Sequence, residues 1–122
     1  MKKNYPEYYK HLRELVGRLS AQSPGPMAGF AALHTAAVAD GALNTKTKEL
    51  IALGIAIGVR CDGCISYHVH DAIMAGATRA EVIETIGISV LMGGGPAMVY
   101  GAEALDALDQ FESEPKPTQR RQ

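Results

Sequence analysis

The chain has no tryptophan, two cysteines and almost no charge imbalance, and each shortage excludes a class of protein. Twelve Lys plus Arg stand against thirteen Asp plus Glu, a net charge of -1, so no broad basic field exists to hold a phosphate backbone or an anionic lipid surface. Neither nucleic acid nor a membrane is an expected partner. Long apolar runs are also missing: the longest, Leu50 to Val59, has ten residues, about half of the roughly 20 that a membrane-spanning helix needs. The first residues, Met1-Lys2-Lys3-Asn4-Tyr5-Pro6-Glu7, lead into Lys10 and His11 rather than an apolar stretch, so no secretory signal is read there and the cytoplasm is the expected location. Sustained period-two alternation of strand-forming residues is absent too, which leaves an all-α reading.

With 122 residues and 47% hydrophobic composition, the chain can build one domain with a core. Apolar residues at helical spacing and the breakers between them predict about six helices in residues 1–111, with 112–122 a polar, disordered tail. The first carries Tyr5, Tyr8, Leu12, Leu15, Val16 and Leu19; Ser20 to Pro26 reads as a break, and the second runs from Met27 to about Gly41. Asn44 or Thr45 caps a third helix that is apolar on nearly every side. A fourth spans about Cys61 to Ala75 and stops at Gly76. Thr78 and Glu81 have capping-box spacing for a fifth that runs to Met92, and Gly93-Gly94-Gly95-Pro96 separates it from an alanine-rich sixth ending near Phe111. Helices this rich in Ala, Gly, Ile and Met leave more apolar surface than 122 residues enclose, so a homo-oligomer is expected.

The chemistry concentrates in Arg60-Cys61-Asp62-Gly63-Cys64-Ile65-Ser66-Tyr67-His68-Val69-His70. At about 100° per residue, Cys61, Cys64 and His68 fall within about 60° of one another on a helix face. A helix N-terminus favours thiolate over thiol, which makes a cysteine there a better nucleophile. His68, one turn after Cys64, is placed to accept the thiol proton or to return one to a leaving group. Two thiols one turn apart can close a disulfide, so Cys61 can resolve a sulfenic acid on Cys64. Glu49 shares the stripe of Ala52, Leu53 and Ala56 on the most apolar helix, where a carboxylate is costly unless partnered, and is a candidate second member of a proton relay to His68. A structural ion pair with Lys46, Lys48 or Arg60 is the plainer alternative for Glu49, and a pair of small buried hydrophobes the plainer one for the cysteines.

Other sites fit less well. One zinc ion cannot reach His68 and His70, about 200° apart on one helix, together with Cys61 and Cys64. Covalent haem attachment needs a histidine directly after the second cysteine, where Ile65 stands, and a thioredoxin-like CxxC follows a strand in a βαβ pattern that the chain lacks. His70 reads as an exposed or interface residue, and His34, on the apolar stripe of the second helix, as a satisfied core histidine.

Glu49, then Cys61-x-x-Cys64-x-x-x-His68 twelve positions on, then Ala75-Gly76-Ala77-Thr78 and Glu81, resemble the carboxymuconolactone decarboxylase-like superfamily, specifically its AhpD-like alkylhydroperoxidase branch, over about Met27 to Phe111. The resemblance implies an all-helical fold, trimers or hexamers, and a peroxidase cycle without metal or organic cofactor. By it Cys64 attacks the hydroperoxide, Cys61 resolves, Glu49 and His68 relay protons, and a dithiol or protein thiol is the reductant. In AhpD a further histidine precedes the second cysteine; here Gly63 stands there. The lyase that gives the superfamily its name lacks the redox CxxC and is the alternative enzyme class, and a redox sensor without turnover is the alternative outside enzymes.

Overall fold

A computed structural model describes residues 2–115, and every regular element in them is helical. The helices are α1 (Tyr5–Gln22), α2 (Pro24–Val38), α3 (Thr45–Gly58), α4 (Asp62–Met74) and α5 (Arg79–Ser113). The capping residues read from the sequence mark most of the boundaries. Asn44 accepts the Thr47 N–H at 2.8 Å to open α3, and Thr78 with Glu81 forms the reciprocal capping box of α5. α3 and α4 both end in a Schellman turn. Cys61 N–H reaches Ala56 O and Arg60 N–H reaches Ile57 O at the first; Ala77 N–H reaches Ala72 O and Gly76 N–H reaches Ile73 O at the second.

Three parts of the chain differ from the sequence reading. The break expected over Ser20 to Pro26 shrinks to Ser23 alone, and α2 runs from Pro24 to Val38 rather than from Met27 to about Gly41. Pro24 and Pro26 fall in its first turn, where a missing backbone N–H costs nothing because those donors have no intrahelical acceptor anyway. The last helix runs two residues past Phe111 to Ser113, so the expected tail starts later; residues 116–122 of it lie outside the described residues.

The third difference is one of continuity, because the fifth and sixth helices expected on either side of the Gly-Gly-Gly-Pro stretch are joined in α5, interrupted at Gly94 with φ 68° and ψ -147°. These angles are open to glycine and strained for other residues. The element doubles back there. Arg79 Nη1 lies 2.7 Å from Asp109 and 2.6 Å from Glu112, whereas the ends of a straight helix of 35 residues would stand about 50 Å apart. Gly101 lets the arms touch: a Cβ there would lie 2.8 Å from Ile86 Cγ2. By length and composition α5 is also the one described helix apolar enough to cross a membrane, but the reversal divides that length.

The core lies between α3, α4 and α5, where Leu53, Ile57, Ile65, Val69, Val82 and Leu108 are fully enclosed. The start of α1 is tied to it, since Tyr5 N–H donates to Gln110 Oε1 at 2.7 Å while Gln110 Nε2 donates to Lys3 O at 2.8 Å. α2 is different: it buries no residue, and Phe30 and Leu33 are 65% and 63% exposed. α3, expected to be surrounded by helices, is covered on one side only, with Ile51, Ile55 and Val59 bare on the other.

Candidate functional site

The turn between α3 and α4 sets the cysteine pair. Arg60 occupies the left-handed region at φ 60°, the conformation that glycine supplies at the equivalent place after α4, and this reverses the chain so that Cys61 becomes the N-cap of α4. Cys61 Sγ accepts the Cys64 N–H at 3.2 Å, and the two sulfurs are joined as a disulfide. Both cysteines are half-buried. Asp62 follows in the first turn, where its negative charge faces the positive end of the helix, and Lys3 forms an ion pair with it from the N-terminal segment. That pairing holds the Lys3 ammonium above its usual range, with burial acting in the opposite direction. Asp62 Oδ1 is enclosed without a hydrogen-bond partner among the described residues.

One turn beyond Cys64, His68 turns its ring toward α3, and its Nδ1 lies 2.8 Å from Glu49 Oε2. Glu49 is 3% exposed, so its carboxyl group lies in the interior, with His68 as its one hydrogen-bonding partner among the described residues. The partner is neither of the lysines considered from sequence: Lys46 pairs with Glu81 at 2.9 Å and Lys48 donates to Ala39 O at 2.6 Å. With the carboxylate ionised, Nδ1 carries the proton and donates it, which leaves Nε2 as the nitrogen with a free lone pair. No hydrogen bond among the described residues joins Nε2 to a sulfur in this disulfide form.

The structure thus brings together Cys61 with Cys64 at the start of α4, and His68 one turn further along α4 with Glu49 of α3. It also explains Gly63. A Cβ at this position would lie 3.1 Å from Leu12 Cδ1 and 3.6 Å from Tyr8 Oη, so α1 fills the space that a larger residue would need.

Two other histidines differ from the sequence reading. His34 is exposed, not a core residue, because the apolar stripe of α2 has nothing packed over it within the chain. It approaches Glu49 instead, with a ring nitrogen, a Glu49 oxygen and an Asp71 oxygen all within 4.8 Å of one another. Sequence alone gave no signal for this, since it depends on how α2 crosses α3 and α4. His70 is half-buried within the chain, stacked on Tyr9 at 4.1 Å and hydrogen-bonded to Asp71 at 2.9 Å. The Tyr9 hydroxyl is held above its ordinary pKa, chiefly by burial and then by the Asp71 charge.

Comparison with known proteins places the chain in a family. The sequence profile of the carboxymuconolactone decarboxylase family matches residues 24–107. An uncharacterized protein from Cupriavidus necator is 38% identical over 97 residues, spanning 80% of this chain and 86% of that one. A carboxymuconolactone decarboxylase family protein from Legionella pneumophila superposes with a TM-score of 0.86 at 41% identity, covering 90% of this chain and 98% of that one. A Thermotoga maritima member of the same family, described as a candidate participant in the antioxidative response, superposes at 0.78 with 29% identity over 87% of this chain and 90% of its own. Profile match, sequence relatives and shared helical fold agree that this chain belongs to the carboxymuconolactone decarboxylase family.

Proposed function

We propose that the chain is an AhpD-like, thiol-dependent hydroperoxide reductase, cytoplasmic, whose turnover needs no metal or organic cofactor. The observation that carries this reading is the buried Glu49–His68 pair at 2.8 Å, one turn past a cysteine pair at a helix start. Glu49 holds Nδ1–H, so Nε2 takes the proton from Cys64. The thiolate attacks the terminal oxygen of the hydroperoxide, the O–O bond breaks, and His68 returns the proton to the departing alkoxide, which leaves as the alcohol. Cys61 then attacks the Cys64 sulfenic acid; the disulfide forms, and the hydroxyl leaves as water with the Cys61 proton. A dithiol or protein thiol reduces the disulfide by exchange and is itself oxidised.

The bare apolar faces of α2 and α3 support assembly of several copies, a trimer or hexamer, because a lone chain would leave Phe30, Leu33, Ile51, Ile55 and Val59 in water.

The test is the intact mass and free-thiol count of reduced protein before and after one equivalent of an organic hydroperoxide, with EDTA present. Loss of both thiols and of two hydrogens within seconds, reversed by excess dithiol with sustained peroxide consumption, is the expected result. Oxidation without sustained consumption under any dithiol makes the protein a redox sensor. Survival of both thiols overturns the peroxidase reading and moves the lyase ahead, to be assayed on a carboxylactone with a Cys61→Ser, Cys64→Ser double variant.

A further inference from the structure

We propose that Lys3 is a positioning residue for the cysteine pair: by neutralising Asp62, the acid inside the Cys61-x-x-Cys64 loop, it keeps the two thiols reactive. Asp62 directly follows Cys61 and stands in the first turn of α4, the helix start that otherwise favours a thiolate. A carboxylate there raises the cost of a thiolate, both when it attacks and when it departs in disulfide exchange. Asp62 cannot pass its charge to a donor on its inner side, because Oδ1 is enclosed and has no hydrogen-bond partner among the described residues. Its field reaches the interior. The Tyr5 hydroxyl is pushed above its ordinary range first by burial and then by Asp62, with Glu103 and Asp106 of α5 acting in the same direction. Against these three acids, Lys3 is the one ion-pair partner of Asp62 among the described residues.

The N-terminal segment is built to hold this cation where it acts. Gln110 of α5 donates from Nε2 to Lys3 O at 2.8 Å and accepts the Tyr5 N–H on Oε1 at 2.7 Å, so one side chain clamps the backbone on both sides of Asn4. Asn4 in turn caps α1 by accepting the Glu7 N–H at 3.1 Å, and the Tyr5 side chain is sunk in the core. A fixed backbone lowers the ordering cost that usually cancels a surface ion pair. The segment therefore ties the first residues of the chain, through α5, to the charge inside the cysteine loop.

This inference rests on the reading of Cys61 and Cys64 as reactive thiols, but not on peroxide turnover. Full-length protein is reduced with dithiothreitol and desalted, and its alkylation by iodoacetamide is followed from about pH 5 to 10, which reads thiolate without peroxide. The ion pair is part-exposed, so Lys3→Met should slow alkylation at neutral pH by about two- to fivefold and move the profile to higher pH. Lys3→Arg should match the parent. Asp62→Asn should move the profile to lower pH, and Lys3→Met added to it should change little, because the charge to be neutralised is gone. Opposite shifts in the two single variants separate a charge effect from loosened packing, which would move both the same way. Identical profiles for the parent and Lys3→Met, or an equal slowing by Lys3→Met in the parent and in the Asp62→Asn background, overturn the proposal. If the opposite shifts are found and a hydroperoxide leaves both thiols intact, the role of Lys3 stands and the peroxidase reading falls.

Discussion

Replacing Glu49 with glutamine preserves the side-chain shape and removes its charge. The carboxylate is enclosed and lies 2.8 Å from His68 Nδ1, so in the proposed cycle it stabilises the imidazolium that forms as Nε2 takes the Cys64 proton. An amide oxygen can still accept from Nδ1–H but cannot balance that positive charge. Hydrogen bonds to charged groups contribute about 1.5–3 kcal/mol, which corresponds to a rate loss of roughly 10- to 150-fold. The assay is single-turnover oxidation of reduced protein by an organic hydroperoxide, followed by rapid quench and thiol counting across pH 5–9, with EDTA to keep metal out of the reading. The expected result is a slower Cys64 oxidation and a displaced pH profile, with unchanged circular dichroism. If Glu49→Gln reacts within about threefold of the parent and with the same profile, the relay is wrong, whatever the cysteines do.

Other expectations follow from packing, capping and the bare faces. Gly101→Ala places a methyl 2.8 Å from a branched Ile86 carbon, and overpacking of this kind costs about 1–3 kcal/mol, read as a lower urea midpoint; an unchanged midpoint would mean that the arms of α5 sit further apart. Thr78→Ala removes the cap on the Glu81 N–H and should cost about 1 kcal/mol in the same assay. Glu81 is held below the usual carboxylate range, first by the Thr78 backbone N–H and then by Lys46, so its contribution is complete above the ordinary carboxylate value and is lost as pH falls through the depressed one. Glu81→Gln should therefore flatten the acid limb of stability below about pH 4.5, and parallel curves would show that the pairing contributes nothing. Sedimentation should find a trimer or hexamer that Phe30→Asp with Leu33→Asp dissociates, and a stable monomer of the parent chain would refute assembly through α2.

What the sequence made legible has a physical pattern. Capping chemistry is local, so Asn44, Gly76, Thr78 and Glu81 marked helix ends correctly, and the spacing of Cys61, Cys64 and His68 placed them close together because all three lie on α4 or its N-cap. The remainder depends on contacts between elements. Pro24 and Pro26 read as a break because proline signals either a helix end or a helix start, and only the chain path distinguishes them. His34 was misplaced because an apolar stripe predicts that a face will be covered, not that the covering lies in the same chain. Gly94 was recognised as a separator, yet nothing local fixed the reversal that brings Arg79 to Glu112.

The tight packing at Gly63 restricts how this site can change over evolutionary time. A histidine ahead of the second cysteine would press on Leu12 Cδ1, 3.1 Å from where its Cβ would stand, so the Leu12 side chain would have to give by a few tenths of an ångström. A smaller residue at position 12 would relieve that contact, and taken alone would loosen the packing beside the CxxC. The two positions are coupled through that one contact. In the proposed cycle this leaves Glu49 and His68 to carry the proton, and an engineer adding a histidine at position 63 should make room at Leu12 in the same step.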